Sequence, residues 1–380
     1  MKAVKKNLHQ LLFFLFIGIM LLPLSNNLFK GKEIKGLKGY YEKQEAPTFS
    51  MDNWFAGTFQ DTLDKHINDN FGYRSLFVRT FNQINFSLFE KISVQNVIIG
   101  KDNYLYEENY INSYFGLDFI GQDSIQEKVI KLKQIQDTLK KLGTDLIVVL
   151  APGKGSYFPE YFPEEYTSLE VGATNYEYYL KHLQEQQLPL INFKAWFLAQ
   201  KDSSEHALFP KTGVHWSKYA ELKVADSLIQ FIADMKGITH PPRINITAIT
   251  KSSEAWDTDD DIEQSMNLLL DIPDLMMSYP SYTYDIPDSS ARPKVITVAD
   301  SYYWGLYNLG LSHKAFNNSP FWYYNQKAFA GNYEQAIDIS ELQIQKEVES
   351  SDVIILLSTD ANLYRFAFGW IDQMYAIYYP

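Results

Sequence analysis

One stretch near the middle of this chain restricts the fold more than any other. Over residues 124–142, Ile125, Val129, Leu132, Ile135, Leu139 and Leu142 recur at steps of three and four, and Gly143 follows as a helix stop. Residues 145–150 (D-L-I-V-V-L) then make an apolar run short enough for a strand buried on both faces. An amphipathic helix that feeds a doubly buried strand is the repeating unit of α/β proteins. Residues 176–187 and 188–193 repeat the pairing. Residues 217–235 predict a helix with Ala220, Val224, Leu228 and Ile232 on one stripe, and residues 295–299 and 353–358 predict further strands. The fold class expected is α/β, a mostly parallel sheet with helices on both faces. Ahead of it, residues 54–89 read as helical, with Phe55, Phe59, Leu63 and Ile67 at steps of four, and residues 97–106 as two short strands around Lys101-Asp102-Asn103.

The amino terminus addresses location. Lys2, Lys5 and Lys6 precede an uncharged apolar run over residues 11–24, the layout of an export signal. No small-residue cleavage site follows Leu24, so residues 1–29 are expected to be a retained signal anchor, or else a signal peptide, that places the rest of the chain in the periplasm, tied to the inner membrane. Residues 30–50, rich in Gly, Lys and Glu, suit a spacer, and residues 51–380 one α/β domain with a Pro- and Asp-rich insertion at 240–292. A net charge of −12 argues against a nucleic-acid partner, and the absence of cysteine removes disulfides and thiolate metal sites. No cofactor or metal is expected.

The strand at 295–299 stops at Asp300-Ser301, where open α/β sheets hold their ligands beyond the strand tips. Ser301 is the candidate nucleophile. A serine hydroxyl needs a neighbouring base, and K-T-G-V-H-W-S supplies His215. Each has an ordinary reading as well: Asp-Ser as a strand stop or cap, His215 as a packed residue at a helix entrance. Lys154 in P-G-K-G reads as a turn lysine, because the spacing is not that of a phosphate loop. The run W-D-T-D-D-D (256–261) lacks calcium-loop spacing and reads as a solvated helix start. Asn362 and Arg365, beyond the last strand, are candidates for contacting an oxyanion or a sugar hydroxyl.

Four blocks resemble a known family. F-G-Y-R (71–74) with V-I-I-G-K-D-N-Y-L-Y (97–106), V-V-L-A-P-G-K-G-S-Y-F-P-E-Y-F-P (148–163), His215-Trp216, and V-A-D-S-Y (298–302) are similar to blocks of the SGNH-hydrolase-like domain of the alginate O-acetyltransferase group, AlgX/AlgJ type, a permuted relative of GDSL esterases. With residues 352–363 the resemblance covers about residues 50–370. It implies Ser301 as nucleophile and His215 as general base, an exported polysaccharide as substrate, and a membrane-bound O-acyltransferase as acyl donor. It also implies an acid two residues before the histidine, where this chain has Gly213, and a glycine before Asp300, where it has Ala299. Another carboxylate must replace the missing acid, with Asp257, Asp259, Asp260, Asp261 and Asp360 as candidates, or the site is retired. The expectations are therefore an O-acetyltransferase working through an acyl-serine, a non-catalytic glycan-binding or scaffold member, or an acetyl esterase.

Overall fold

The computed structural model describes residues 2–28, 35–39, 43–288, 290–330 and 336–380. It divides into two units, Met1–Gln95 with Glu263–Asp271, and Asn96–Ile262 with Ile272–Pro380. The first unit is helical. The one helix expected over 54–89 is three, Met51–Ala56, Thr58–Asp69 and Arg74–Phe89, because Gly57 (φ 80°) and Tyr73 (φ 58°) take left-handed conformations that interrupt the helical ladder. Arg79 is buried and donates to the carbonyls of Gly36 and Leu268, each at 2.8 Å, so segments distant in sequence are fastened to the third helix. A helix also covers the expected anchor, Lys2–Leu28. Yet among the described residues no helix is long and apolar enough to cross a membrane. The uncharged apolar run at 11–24 falls short of the roughly 20 residues a span needs, with lysines on one side and Ser25-Asn26-Asn27 on the other. Parts of the expected spacer, residues 29–34 and 40–42, lie outside the described residues.

The second unit is built on a seven-stranded sheet: β1 (Asp145–Ala151), β2 (Leu190–Asn192), β3 (Val295–Ala299), β4 (Phe321–Tyr323), β5 (Lys327–Phe329), β6 (Ile337–Asp338) and β7 (Val353–Thr359), in the order β6-β5-β4-β3-β7-β1-β2. The five strands from β4 to β2 run parallel, and β5 and β6 add an antiparallel edge. Strands β3 and β7 are buried at every residue, as their unbroken apolar sequences require. On one face Leu146, Val148, Ile296, Val298, Ile354 and Leu356 pack against the expected helix, observed as Gln122–Lys141. The alternate residues Ile147, Val149, Ile355 and Leu357 turn to the other face and are equally buried. The insertion is an antiparallel hairpin, Arg243–Ser252 with Met277–Asp285, and the acidic run lies between its strands. A second hairpin, Val97–Ile99 with Leu105–Glu107, turns at Asp102 and Asn103, both at positive φ as the sequence predicts.

Candidate active site

Ser301 follows β3 at the sheet's carboxyl edge. Asp300 before it is fully buried, and its carboxylate takes four hydrogen bonds: Oδ2 accepts from Thr359 N (2.8 Å), Thr359 Oγ1 (2.8 Å) and Asn362 Nδ2 (2.9 Å), and Oδ1 from Tyr302 N (3.1 Å). The tips of β3 and β7 are thereby joined, and the turn that presents Ser301 is fixed. This accounts for Asn362 differently from the sequence reading. Its amide donates to Asp300 and its Oδ1 accepts from Arg365 Nε (3.1 Å) and Nη2 (2.7 Å), so it holds scaffold together instead of aiming a donor at an oxyanion. The Arg365 guanidinium lies 4.7 Å from the ring centroid of Tyr324, a residue that interacts with Ser301. A cleft of about 370 Å³ opens there, lined by Lys128, Tyr324, Gln326, Tyr364, Arg365 and Phe368.

His215 arrives on a loop held at almost every polar group. Lys211 N and Thr212 Oγ1 donate to Asp274, each at 2.8 Å. Lys154 Nζ donates to Lys211 O and Gly213 O, and Tyr302 OH to Val214 O at 2.6 Å. Ser217 then caps the helix Lys218–Lys236 by accepting from Ala220 N. The result is the geometry required for proton transfer: His215 Nε2 stands 3.0 Å from Ser301 Oγ.

The carboxylate beside His215 is that of Asp261. Its Oδ2 lies 2.6 Å from His215 Nδ1, and its Oδ1 accepts from Val214 N at 2.8 Å. A carboxylate beside Nδ1 makes that nitrogen the donor and leaves the Nε2 lone pair facing the serine hydroxyl. Of the other candidates, Asp257 is exposed and 3.8 Å from Lys218 Nζ, and Asp360 accepts from Ser156 and pairs with Lys194 at 3.1 Å. A helix does start at the end of the 256–261 run, Asp261–Met266, but the run is not solvated throughout. Asp259 is 1% exposed, and burial, with Glu221 adding to it, pushes its carboxyl well above the usual range.

At Gly213 a side chain has no room. A Cβ there would sit 2.6 Å from Asp259 O and 2.7 Å from Thr258 O, both backbone atoms that cannot rotate away. Glycine in place of the resembling family's acid leaves room for the segment that delivers Asp261. Sequence alone offered five carboxylates because proximity across 46 residues leaves no local signal. Tyr302, whose hydroxyl pins the histidine loop, was missed for the same reason.

The charge environment suits a base. Burial disfavours the imidazolium, but the Asp261 carboxylate outweighs it, helped by Glu221 and Asp300, and the His215 pKa rises above its ordinary 6.5.

Residues 97–257 match the family model described as SGNH hydrolase-like domain, acetyltransferase AlgX. The chain is 20% identical over 191 residues to the probable alginate O-acetylase AlgJ of Pseudomonas syringae pv. tomato, a match over 50% of this chain and 47% of that one. It thus spans about half the length of the curated relatives it matches. Among solved structures it is similar to the O-acetyltransferase domain of Pseudomonas putida AlgJ (15% identity, 74% of this chain and 99% of that chain, TM-score 0.47) and to Pseudomonas aeruginosa AlgX (14%, 73% and 66%, TM-score 0.44).

Proposed function

We propose, from the match of residues 97–257 to an SGNH hydrolase-like domain of the AlgX type, that this chain is an O-acetyltransferase acting on hydroxyls of an exported polysaccharide through an acyl-Ser301 intermediate. The observation that carries the reading is the relay Asp261–His215–Ser301, with both ring nitrogens engaged. His215 Nε2 takes the proton of Ser301 as Oγ attacks the acetyl carbonyl, and returns it to the departing donor group. In the second half a sugar hydroxyl gives its proton to Nε2 and attacks the acyl-serine, the bond to Oγ breaks to release the acetylated sugar, and Nε2 returns the proton to Oγ, restoring Ser301. Asp261 holds the tautomer and stabilises the imidazolium in both halves. A retired, merely binding site is disfavoured because its histidine would have no need of a carboxylate at 2.6 Å.

An oligosaccharide acceptor added with an activated acetyl ester tests transfer directly. Acetylated sugar should form with the native chain and not with Ser301→Ala; hydrolysis alone, unaffected by any acceptor, would identify an esterase. The setting we propose is the periplasmic face of the inner membrane, with a membrane-bound O-acyltransferase as acyl donor; the support is the lysine-flanked apolar helix and the family's substrate class. Protease applied from the periplasmic side should degrade the α/β unit, and protection of that unit would refute the placement.

The pH dependence follows from His215. The base must be unprotonated to work, and its pKa is raised, so activity should fall as pH drops through a value above 6.5 and level off on the alkaline side. Asp261→Asn removes the raising carboxylate, so that limb should move to lower pH. A limb unmoved by Asp261→Asn would mean that Asp261 does not face the working base.

A further inference from the structure

Lys154 opens the one-turn helix Lys154–Tyr157 just beyond β1. The sequence reads it as a turn lysine, and the structure adds that its side chain is 0% exposed. Nζ donates to Lys211 O at 2.6 Å and to Gly213 O at 2.7 Å, and lies 5.5 Å from the ring centroid of Tyr106. Burial draws its pKa down from 10.5 to about 7, with Asp274 and Asp261 offsetting part of the effect. A buried ammonium is an expensive way to fill a core, and a methionine of similar length would occupy the space without desolvating a charge. What methionine cannot do is donate to two carbonyls. Those two belong to alternate residues of the loop that ends in His215, and only Val214 separates Gly213 from the histidine.

We infer that Lys154 is a positioning residue for the general base, tying the carbonyls of Lys211 and Gly213 so that His215 is held between Asp261 and Ser301. It touches none of the reacting atoms. Its action passes through the loop: with Gly213 O fixed, the Val214 amide stays on Asp261 Oδ1 and the imidazole stays on Oδ2. Without Lys154, the buried Gly213 carbonyl loses its donor while Lys211 O keeps the Leu105 amide at 3.1 Å, and the loop must shift at Gly213 to hydrate the freed oxygen. The inference rests on the proposed Ser301 relay.

The test uses the full chain with Lys154→Met and Lys154→Gln, followed by acetyl-ester hydrolysis across pH. Lys154→Met should lower kcat/KM by about 10²-fold, the scale on which misplacement of roughly 1 Å acts on a reacting pair. Its acid limb should move down toward that of Asp261→Asn, a displacement that general loss of stability does not produce. Combining Lys154→Met with Asp261→Asn should cost less than the product of the single losses, since both act on one histidine. Lys154→Gln keeps a donor on a side chain one atom shorter, and should show a smaller loss with the limb displaced the same way. A folded Met variant with native rate and native limb overturns the inference; if Met at 154 prevents folding, native kinetics in the folded Gln variant overturn it equally. Ser301→Ala, run in parallel, separates the two layers. Hydrolysis that survives Ser301→Ala refutes the relay itself, whereas its loss beside unaffected Lys154 variants refutes only the role of Lys154.

Discussion

Ser301→Ala should lower acetyl-ester turnover by on the order of 10⁶-fold, and His215→Ala should fall to the same floor, because nucleophile and base act as one unit. The double variant should be no slower than either single one. The expectation follows from a 3.0 Å approach between His215 Nε2 and Ser301 Oγ, which puts this imidazole in line to take the hydroxyl proton. Steady-state kinetics on a soluble acetyl ester provide the check. Full additivity of the two losses would mean that the residues do not share a proton, and the relay would be abandoned.

Asp261→Asn should cost about 10⁴-fold with the fold intact, because an amide at that position can present its N–H to Nδ1 and favour the wrong tautomer. The companion result concerns Gly213. Rebuilding the family pattern with Gly213→Asp would restore activity only if the acid were simply absent. Here the acid is supplied from elsewhere, and any Cβ at 213 meets the Asp259 carbonyl oxygen at 2.6 Å. Gly213→Asp should therefore destabilise the protein, by about 1–3 kcal/mol for an overpacked site, and should lower activity by pushing the Asp261 segment outward. Denaturant midpoints and ester hydrolysis measured on the same preparation would show both. Rescue of Asp261→Asn by Gly213→Asp would contradict the assignment of the third triad member.

The parts of the fold that could be read from sequence are those where local pattern and burial agree. The helix at Gln122–Lys141 and the strand Asp145–Ala151 followed from a three-four spacing and a continuous apolar run, and neither depends on a distant partner for its identity. Ser301 was singled out because small polar residues end a strand at a sheet's carboxyl edge, a feature a simple strand stop or cap shares, and the structure sets it 3.0 Å from His215 Nε2. The break at Tyr73 was not, since a tyrosine at φ 58° carries no warning in its identity. Asp261 was only narrowed to five, as its selection rests on the Thr258–Asp259 backbone lying against the glycine at 213. Lys154 was misread for a related reason. Flanking glycines suggest a turn, whereas here Gly155 brings its backbone against that of Tyr110 and Lys154 opens a one-turn helix with its Nζ buried on the histidine loop. Asn362 shows the opposite error, a residue placed near the chemistry whose bonding capacity is already taken up by Asp300, Thr359 and Arg365.

The central claim is that Ser301 becomes acetylated, and mass spectrometry of the full chain mixed with an activated acetyl ester and quenched in acid tests it most directly. The native chain should gain the mass of one acetyl group, located on the peptide that contains Ser301, and the adduct should disappear when a glycan acceptor is added before the quench. His215→Ala should form it far more slowly and Ser301→Ala not at all. A native chain that turns over the ester with no acetyl on Ser301, or a Ser301→Ala chain that acquires the same adduct at the same rate, would contradict the mechanism.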